Sequence, residues 1–165
     1  MNERIYERIT RPIYDYKYGL QILKGINNIT TTLVYCLYPI LLMVLAYNRD
    51  SRFWRVLITP GISFALVSIF RNYFNALRPY EVLNINPIIK KDTKGKSFPS
   101  RHVFSIFVIA MSFYYILPWM GIGLMFLGLL LAVARVLGGV HFPRDVIVGA
   151  IVGILSGMIG FIIIR

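Results

Sequence analysis

VFSIFVIAMSFYYILPWMGIGLMFLGLLLAVA, residues 103–134, contains no Asp, Glu, Lys or Arg. About 20 helical residues cross the hydrocarbon core of a bilayer, so this run is too long for one span. Leu117-Pro118-Trp119-Met120-Gly121, near its middle, supplies a helix break. Two spans joined by a tight turn are therefore predicted. The next residues, ARVLGGVHFPRD at 134–145, close the run and open another, Val146 to Ile164, in which Gly149, Gly153 and Gly157 repeat every four residues as a face for close helix packing.

The same reading extends towards the N-terminus. Ile29 to Tyr47 is charge-free and long enough to span, with tyrosines near its ends. A basic turn carrying Arg49, Asp50, Arg52 and Arg55 follows, and Val56 to Phe70 starts a second span that continues towards Leu77. Ahead of these, Ile5, Ile9, Ile13, Tyr16, Leu20 and Leu23 recur at helical spacing among charges. That pattern predicts an interfacial amphipathic helix bent near Pro12, and not a cleavable signal. The expected architecture is an all-α polytopic bundle of about five transmembrane helices. It forms one domain over 1–165, with residues 1–28 interfacial and 29–165 the transmembrane core.

Composition agrees: 57% of the 165 residues are hydrophobic and mean hydropathy is +0.65. The 18 Lys and Arg against 7 Asp and Glu give a net charge of +11, which favours anionic partners such as lipid head groups and phosphorylated substrates. No basic recognition helix or aromatic-basic module points to nucleic acid. The lone Cys36 lies in an apolar run, where a packing role is expected, and a single cysteine allows no internal disulfide. The one long loop, Tyr80 to Phe98, carries Lys90, Lys91, Lys94 and Lys96, read as a solvated segment drawn to head groups.

Following the crossings, three charge-bearing stretches fall on one side of the membrane. The first holds Arg71 and Arg78, seven residues apart and so nearly superposed after two helical turns, with Pro79 stopping the helix behind them. The second holds Ser100, placed to cap a helix beginning with Arg101 and His102. The third holds Arg135, His141 and Asp145. Arginine's planar fork suits phosphate, and a helix start adds backbone N–H donors. His141 and Asp145 stand four apart with Pro143 between them, so a helix beginning there brings the carboxylate towards the imidazole. His141, oriented by Asp145, can attack phosphorus, and His102 can protonate the leaving oxygen and later activate water.

Arg71-x6-Arg78-Pro79, Phe98-Pro99-Ser100-Arg101-His102 and Arg135-x5-His141-x3-Asp145 resemble the three signature motifs of the type-2 phosphatidic acid phosphatase superfamily, the lipid phosphate phosphatases. Order and spacing agree over about the last two-thirds of the chain. The resemblance implies a metal-independent hydrolase without a cofactor, working through a phospho-histidine. His141 would be nucleophile, Asp145 its partner and His102 the general acid, while Arg71, Arg78, Ser100 and Arg135 bind phosphate. It suggests lipid substrates such as undecaprenyl diphosphate, phosphatidylglycerophosphate or phosphatidic acid, and a multi-pass cell-membrane protein whose active site faces the extracytoplasmic side. Arg71 stands where the family usually has lysine, Ala134 where it has serine and Arg101 where it has glycine. Arg101 can clamp a second phosphate or point at neighbouring lipid phosphates. A lipid phosphotransferase using the same intermediate, and a non-enzymatic scaffold or anion conduit, remain the alternative readings.

Overall fold

A computed structural model describes residues 1–163. Its elements are α1 (Glu3–Asp15), α2 (Gly19–Tyr47), α3 (Phe53–Phe74), the single turn α4 (Pro79–Val82), α5 (Arg101–Ile116), α6 (Pro118–Leu137) and α7 (Pro143–Met158), which runs on as a π-helical turn over Ile159–Ile163. Among the described residues the ordered elements are helices only, as the apolar periodicity predicts. Segments containing α2, α3, α6 and α7 are each long and apolar enough to cross a membrane, and α5 is a shorter apolar helix.

α5 is the axis of the bundle. Every residue from Val103 to Phe113 is buried, and the helix packs on α2, α3, α6 and α7. A helix apolar on all sides must be surrounded, and here its neighbours supply the surround. The outer helices keep apolar residues such as Ile40, Met43, Leu66, Leu129 and Ile151 exposed on their far sides. That outward apolar face is what a lipid environment permits.

The α5–α6 junction is as tight as the sequence predicts, with only Leu117 between the helices and Pro118 opening α6. The glycine repeat of α7 also does what its spacing implies. A Cβ on Gly153 would fall 2.7 Å from the Phe104 carbonyl oxygen and 3.1 Å from the Val108 nitrogen, so α7 lies directly on the backbone of α5.

Three local expectations are corrected. The amphipathic repeat does not run through Leu23: Pro12 sits within α1, the chain turns at Tyr16, whose backbone is extended, and Leu20 and Leu23 belong to α2. The α3 helix does not continue to Leu77. Asn75 takes the left-handed conformation (φ 41°) and caps it, so Arg71 and Arg78 do not share a helix face, and Arg78 instead precedes α4. Cys36 is exposed, because α2 turns Val34, Leu41 and Leu45 inward and Cys36 lies off that stripe.

α1 lies against α2 and the end of α6. Tyr6, 3% exposed, donates from its hydroxyl to the Leu137 carbonyl at 3.2 Å, and Glu3 Oε1 accepts from the Asn84 N–H at 2.7 Å. The α1 helix thus holds both the α6–α7 turn and the loop that follows α4.

If α7 is seated by its glycines, Gly153→Leu destabilises the folded protein by about 1–3 kcal/mol through overpacking. Gly61→Ala, whose added methyl meets nothing within 4 Å, leaves stability unchanged or raises it. Thermal unfolding in detergent checks both.

Candidate active site

The turn between α6 and α7 is built for a sharp reversal. Gly139 has φ +74°, which L side chains rarely adopt, and a Cβ there would stand 2.8 Å from the Tyr6 hydroxyl. The turn delivers His141 just ahead of α7, whose first residue is Pro143 and whose first turn holds Asp145. Asp145 Oδ2 accepts from the Phe142 N–H at 3.0 Å and lies 3.5 Å from His141 Nδ1. The four-residue spacing therefore closes as predicted, with His141 1% and Asp145 0% exposed.

A third side chain joins them that the motif reading did not anticipate. Ser97, fully buried, donates from Oγ to Asp145 Oδ2 at 2.5 Å and lies 3.3 Å from His141 Nδ1. Its only sequence signal is its position directly before Phe98-Pro99.

The start of α5 is fastened to the start of α7, the Ser100 N–H donating to the Asp145 carbonyl at 2.8 Å. Ser100 is the residue that caps α5, as expected, yet its hydroxyl makes no capping bond and stays buried without a protein partner. Arg135 is likewise buried, with Nε unpartnered.

The arginines of the first motif spend much of their donor capacity on the backbone. Arg71 bonds through Nη1 to the carbonyls of Pro99 and Ser97, the latter at 3.3 Å, and through Nη2 to that of Lys96. Arg78 donates from Nε to the Gly95 carbonyl at 2.9 Å and from Nη1 to the Val140 carbonyl at 3.2 Å. Glu81 completes this stitching, accepting from the N–H of Arg78 and of Gly95, both at 2.9 Å. Phe98 packs beside Phe70 and Phe74 of α3. The loop over residues 95–100 is thereby fixed to α3 and to the His141 turn.

These elements enclose a cavity of about 300 Å³ bordered by Ser68, Arg71 and Asn72 of α3, by Arg78, by Arg101 and His102 of α5, by His141, and by Lys91, Thr93, Lys94, Gly95 and Lys96 of the loop. Six of the eight predicted site residues are thus at the cavity or hydrogen-bonded behind it: Arg71, Arg78, Arg101, His102 and His141 line it, and Asp145 backs His141. Ser100 and Arg135 are buried but do not line it. The loop lysines are not simply solvated. Lys91 is half-buried at a cavity wall, a placement composition could not separate from its three neighbours. Arg101 keeps its guanidinium over the Phe64 ring, 5.5 Å from the centroid.

Electrostatics favour an anion here and a neutral imidazole beside it. Burial, with help from Arg78 and Arg135, pulls the His141 pKa down to about 4 against the opposing pull of Asp145, so the ring is uncharged at neutral pH. Burial first, then Arg78, Arg135, Arg71 and Arg101, lower Lys91 to about 8. A bound dianion would push that value back up, so binding takes up a proton above pH 8 and weakens there. Calorimetric titration of inorganic phosphate should show affinity falling by about tenfold on deprotonation of Lys91, the equivalent of one charge-assisted hydrogen bond of about 1.5 kcal/mol. Lys91→Met should bind weakly at both ends of the range and lose the pH dependence.

Comparison with known proteins gives consistent matches. Over 137 residues the chain is 29% identical to the bacitracin transport permease protein BcrC of Bacillus licheniformis, covering 77% of this chain and 66% of that one. Over 121 residues it is 26% identical to an undecaprenyl-diphosphatase of Sulfolobus acidocaldarius, covering 72% and 59%. The chain thus spans about three-fifths to two-thirds of the length of these relatives. Among solved structures, Aquifex aeolicus LpxE superposes with a TM-score of 0.73 at 26% identity, over 93% of this chain and 92% of that one. A PAP2-type phosphatidylglycerolphosphate phosphatase from Bacillus subtilis superposes with a TM-score of 0.72 at 21% identity, over 96% and 83%, a likeness of fold. The family model itself covers residues 52–165, which includes every element that borders the cavity, and on that match the chain belongs to the PAP2 superfamily.

Proposed function

We propose that this protein is a membrane lipid phosphatase that removes phosphate from a lipid mono- or diphosphate through a phospho-histidine on His141. The observation that carries the reading is the meeting, at one cavity, of a buried carboxylate-backed histidine, a second histidine and several cationic side chains. Ser100 Oγ and Arg135 Nε, buried without a protein partner, are further donors that the fold leaves unused. Family membership and the helical bundle supply the membrane context.

In the first step His141 Nε2 attacks phosphorus. A P–N bond forms as the P–O bond to the departing lipid or lipid phosphate breaks, and His102 gives that oxygen a proton. In the second step His102 takes a proton from water, the water oxygen attacks phosphorus, and the P–N bond breaks to release phosphate. Arg71, Arg78, Lys91 and Arg101 offset the charge that develops on the equatorial oxygens, the role that a metal ion plays in other phosphatases. Asp145 stabilises the positive imidazole of the intermediate. We place the site on the extracytoplasmic side, with the turn of Arg49, Asp50, Arg52 and Arg55 opposite.

His141→Ala should abolish phosphate release from a panel of lipid mono- and diphosphates while the protein still expresses and folds. The wild type should be indifferent to EDTA. Full activity in His141→Ala would return the scaffold reading, and loss with chelator would contradict the metal-free chemistry.

A diphosphate preference is supported by Arg101, which stands at the cavity edge on Phe64, together with half-buried Lys91. Both add positive charge beyond what one phosphate requires. Arg101→Gly should then lower kcat/KM on a polyprenyl diphosphate by about tenfold or more, while a lipid monophosphate loses far less. Equal losses on the two substrates would assign Arg101 to neighbouring head groups.

A further inference from the structure

We infer that Ser97 is a positioning residue for His141: its hydroxyl bridges the imidazole to Asp145 and holds the ring in the tautomer with the proton on Nδ1 and the lone pair on Nε2. The inference rests on the phospho-histidine reading above.

The geometry around one oxygen decides it. Asp145 Oδ2 already receives the Ser97 hydroxyl at 2.5 Å and the Phe142 N–H at 3.0 Å. His141 Nδ1, at 3.5 Å, is at the limit of direct hydrogen bonding to it, and its nearer partner is Ser97 Oγ at 3.3 Å. A serine hydroxyl has one hydrogen to give and lone pairs to receive with. Were that hydrogen turned to Nδ1, a hydroxyl lone pair would face a carboxylate oxygen 2.5 Å away with both side chains fully buried, an arrangement with nothing to relieve it. The hydrogen therefore goes to Asp145. Ser97 Oγ is then an acceptor towards His141, and Nδ1 must carry the proton. Nε2 has no protein hydrogen-bond partner among the described residues and belongs to a ring that lines the cavity, so the lone pair is left where an electrophile can reach it.

The position of Ser97 is itself fixed from both sides. Its N–H donates to the Ala76 carbonyl at 2.8 Å, and its carbonyl accepts from Arg71. The hydroxyl, rather than the backbone, is therefore the part whose loss reaches His141, and Ser97→Ala preserves both backbone bonds. Without it, Nδ1 loses its nearest acceptor and Asp145 Oδ2 loses its closest donor. The ring is then free to carry its proton on Nε2, the form that cannot attack phosphorus.

The chain has two histidines, so selective ¹⁵N-histidine labelling in detergent micelles gives two ring-nitrogen pairs, which His102→Asn assigns. At neutral pH the wild type should show His141 protonated on Nδ1, and Ser97→Ala should shift population towards the Nε2-protonated form. With that shift kcat should fall about 10- to 100-fold, the size of effect seen when a group orienting a metal-ligating histidine is lost, while KM stays within about threefold. A wild-type His141 protonated on Nε2 overturns the inference. So does a Ser97→Ala protein that keeps the Nδ1 proton, whatever its activity, or one that shifts tautomer without losing kcat. Failure of the underlying reading looks different, since it appears as activity that survives His141→Ala.

Discussion

A guanidinium cannot be removed from water without acceptors, and the site depends on how Arg71 and Arg78 meet that requirement. Both are buried, and both take backbone carbonyls as partners, from Gly95, Lys96, Ser97 and Pro99 in the loop and from Val140 in the turn before His141. Breaking either set would leave a buried charge uncompensated, a penalty of several kcal/mol. Three stretches distant in sequence are thereby held in one arrangement. The cations that line the cavity also build it, so replacing either one changes the charge of the cavity and its shape together.

This double duty explains how far the sequence could be read. Apolar runs, the break at Leu117-Pro118 and the glycine repeat of α7 each obey a local rule, and the helices follow them. His141 and Asp145 are four residues apart across the start of α7, so their approach is also a local matter. Arg71 and Arg78 look equally local, yet Asn75 ends α3 between them by taking a left-handed conformation that no periodicity announces. Ser97 and Lys91 become site residues only because the loop folds back, and its path is decided by carbonyls, which carry no signature in the sequence. Cys36 shows the opposite limit. An apolar neighbourhood says that a residue belongs in the membrane region, not which way it faces when lipid is as apolar as the core.

The α1 helix adds a constraint of a different kind. Tyr6 reaches the Leu137 carbonyl and Glu3 reaches the Asn84 amide, so α1 is bonded both to the end of α6, just before the His141 turn, and to the loop that follows α4. The turn holding His141 is thus packed on its outer side by Tyr6 and stitched on its inner side by Arg78. Two independent attachments limit the motion of a segment that otherwise contains adjacent glycines.

The shortness of α5 has a consequence for depth. At about 1.5 Å per residue its 16 residues cover about 24 Å, less than the roughly 30 Å of hydrocarbon a spanning helix crosses. Its far end is set beside Trp119, 85% exposed, the kind of residue that rests at an interface. With Trp119 at one interface, about 24 Å of helix would leave the opposite end, bearing Arg101 and His102, short of the other boundary of a roughly 30 Å core. For the lipid phosphatase proposed above, a phosphate arriving from bulk water would then have to descend past the head groups, whereas one tethered to a membrane-embedded chain would already lie at that depth. Such a placement would sort phosphates by where they reside before any contact discriminated among their structures.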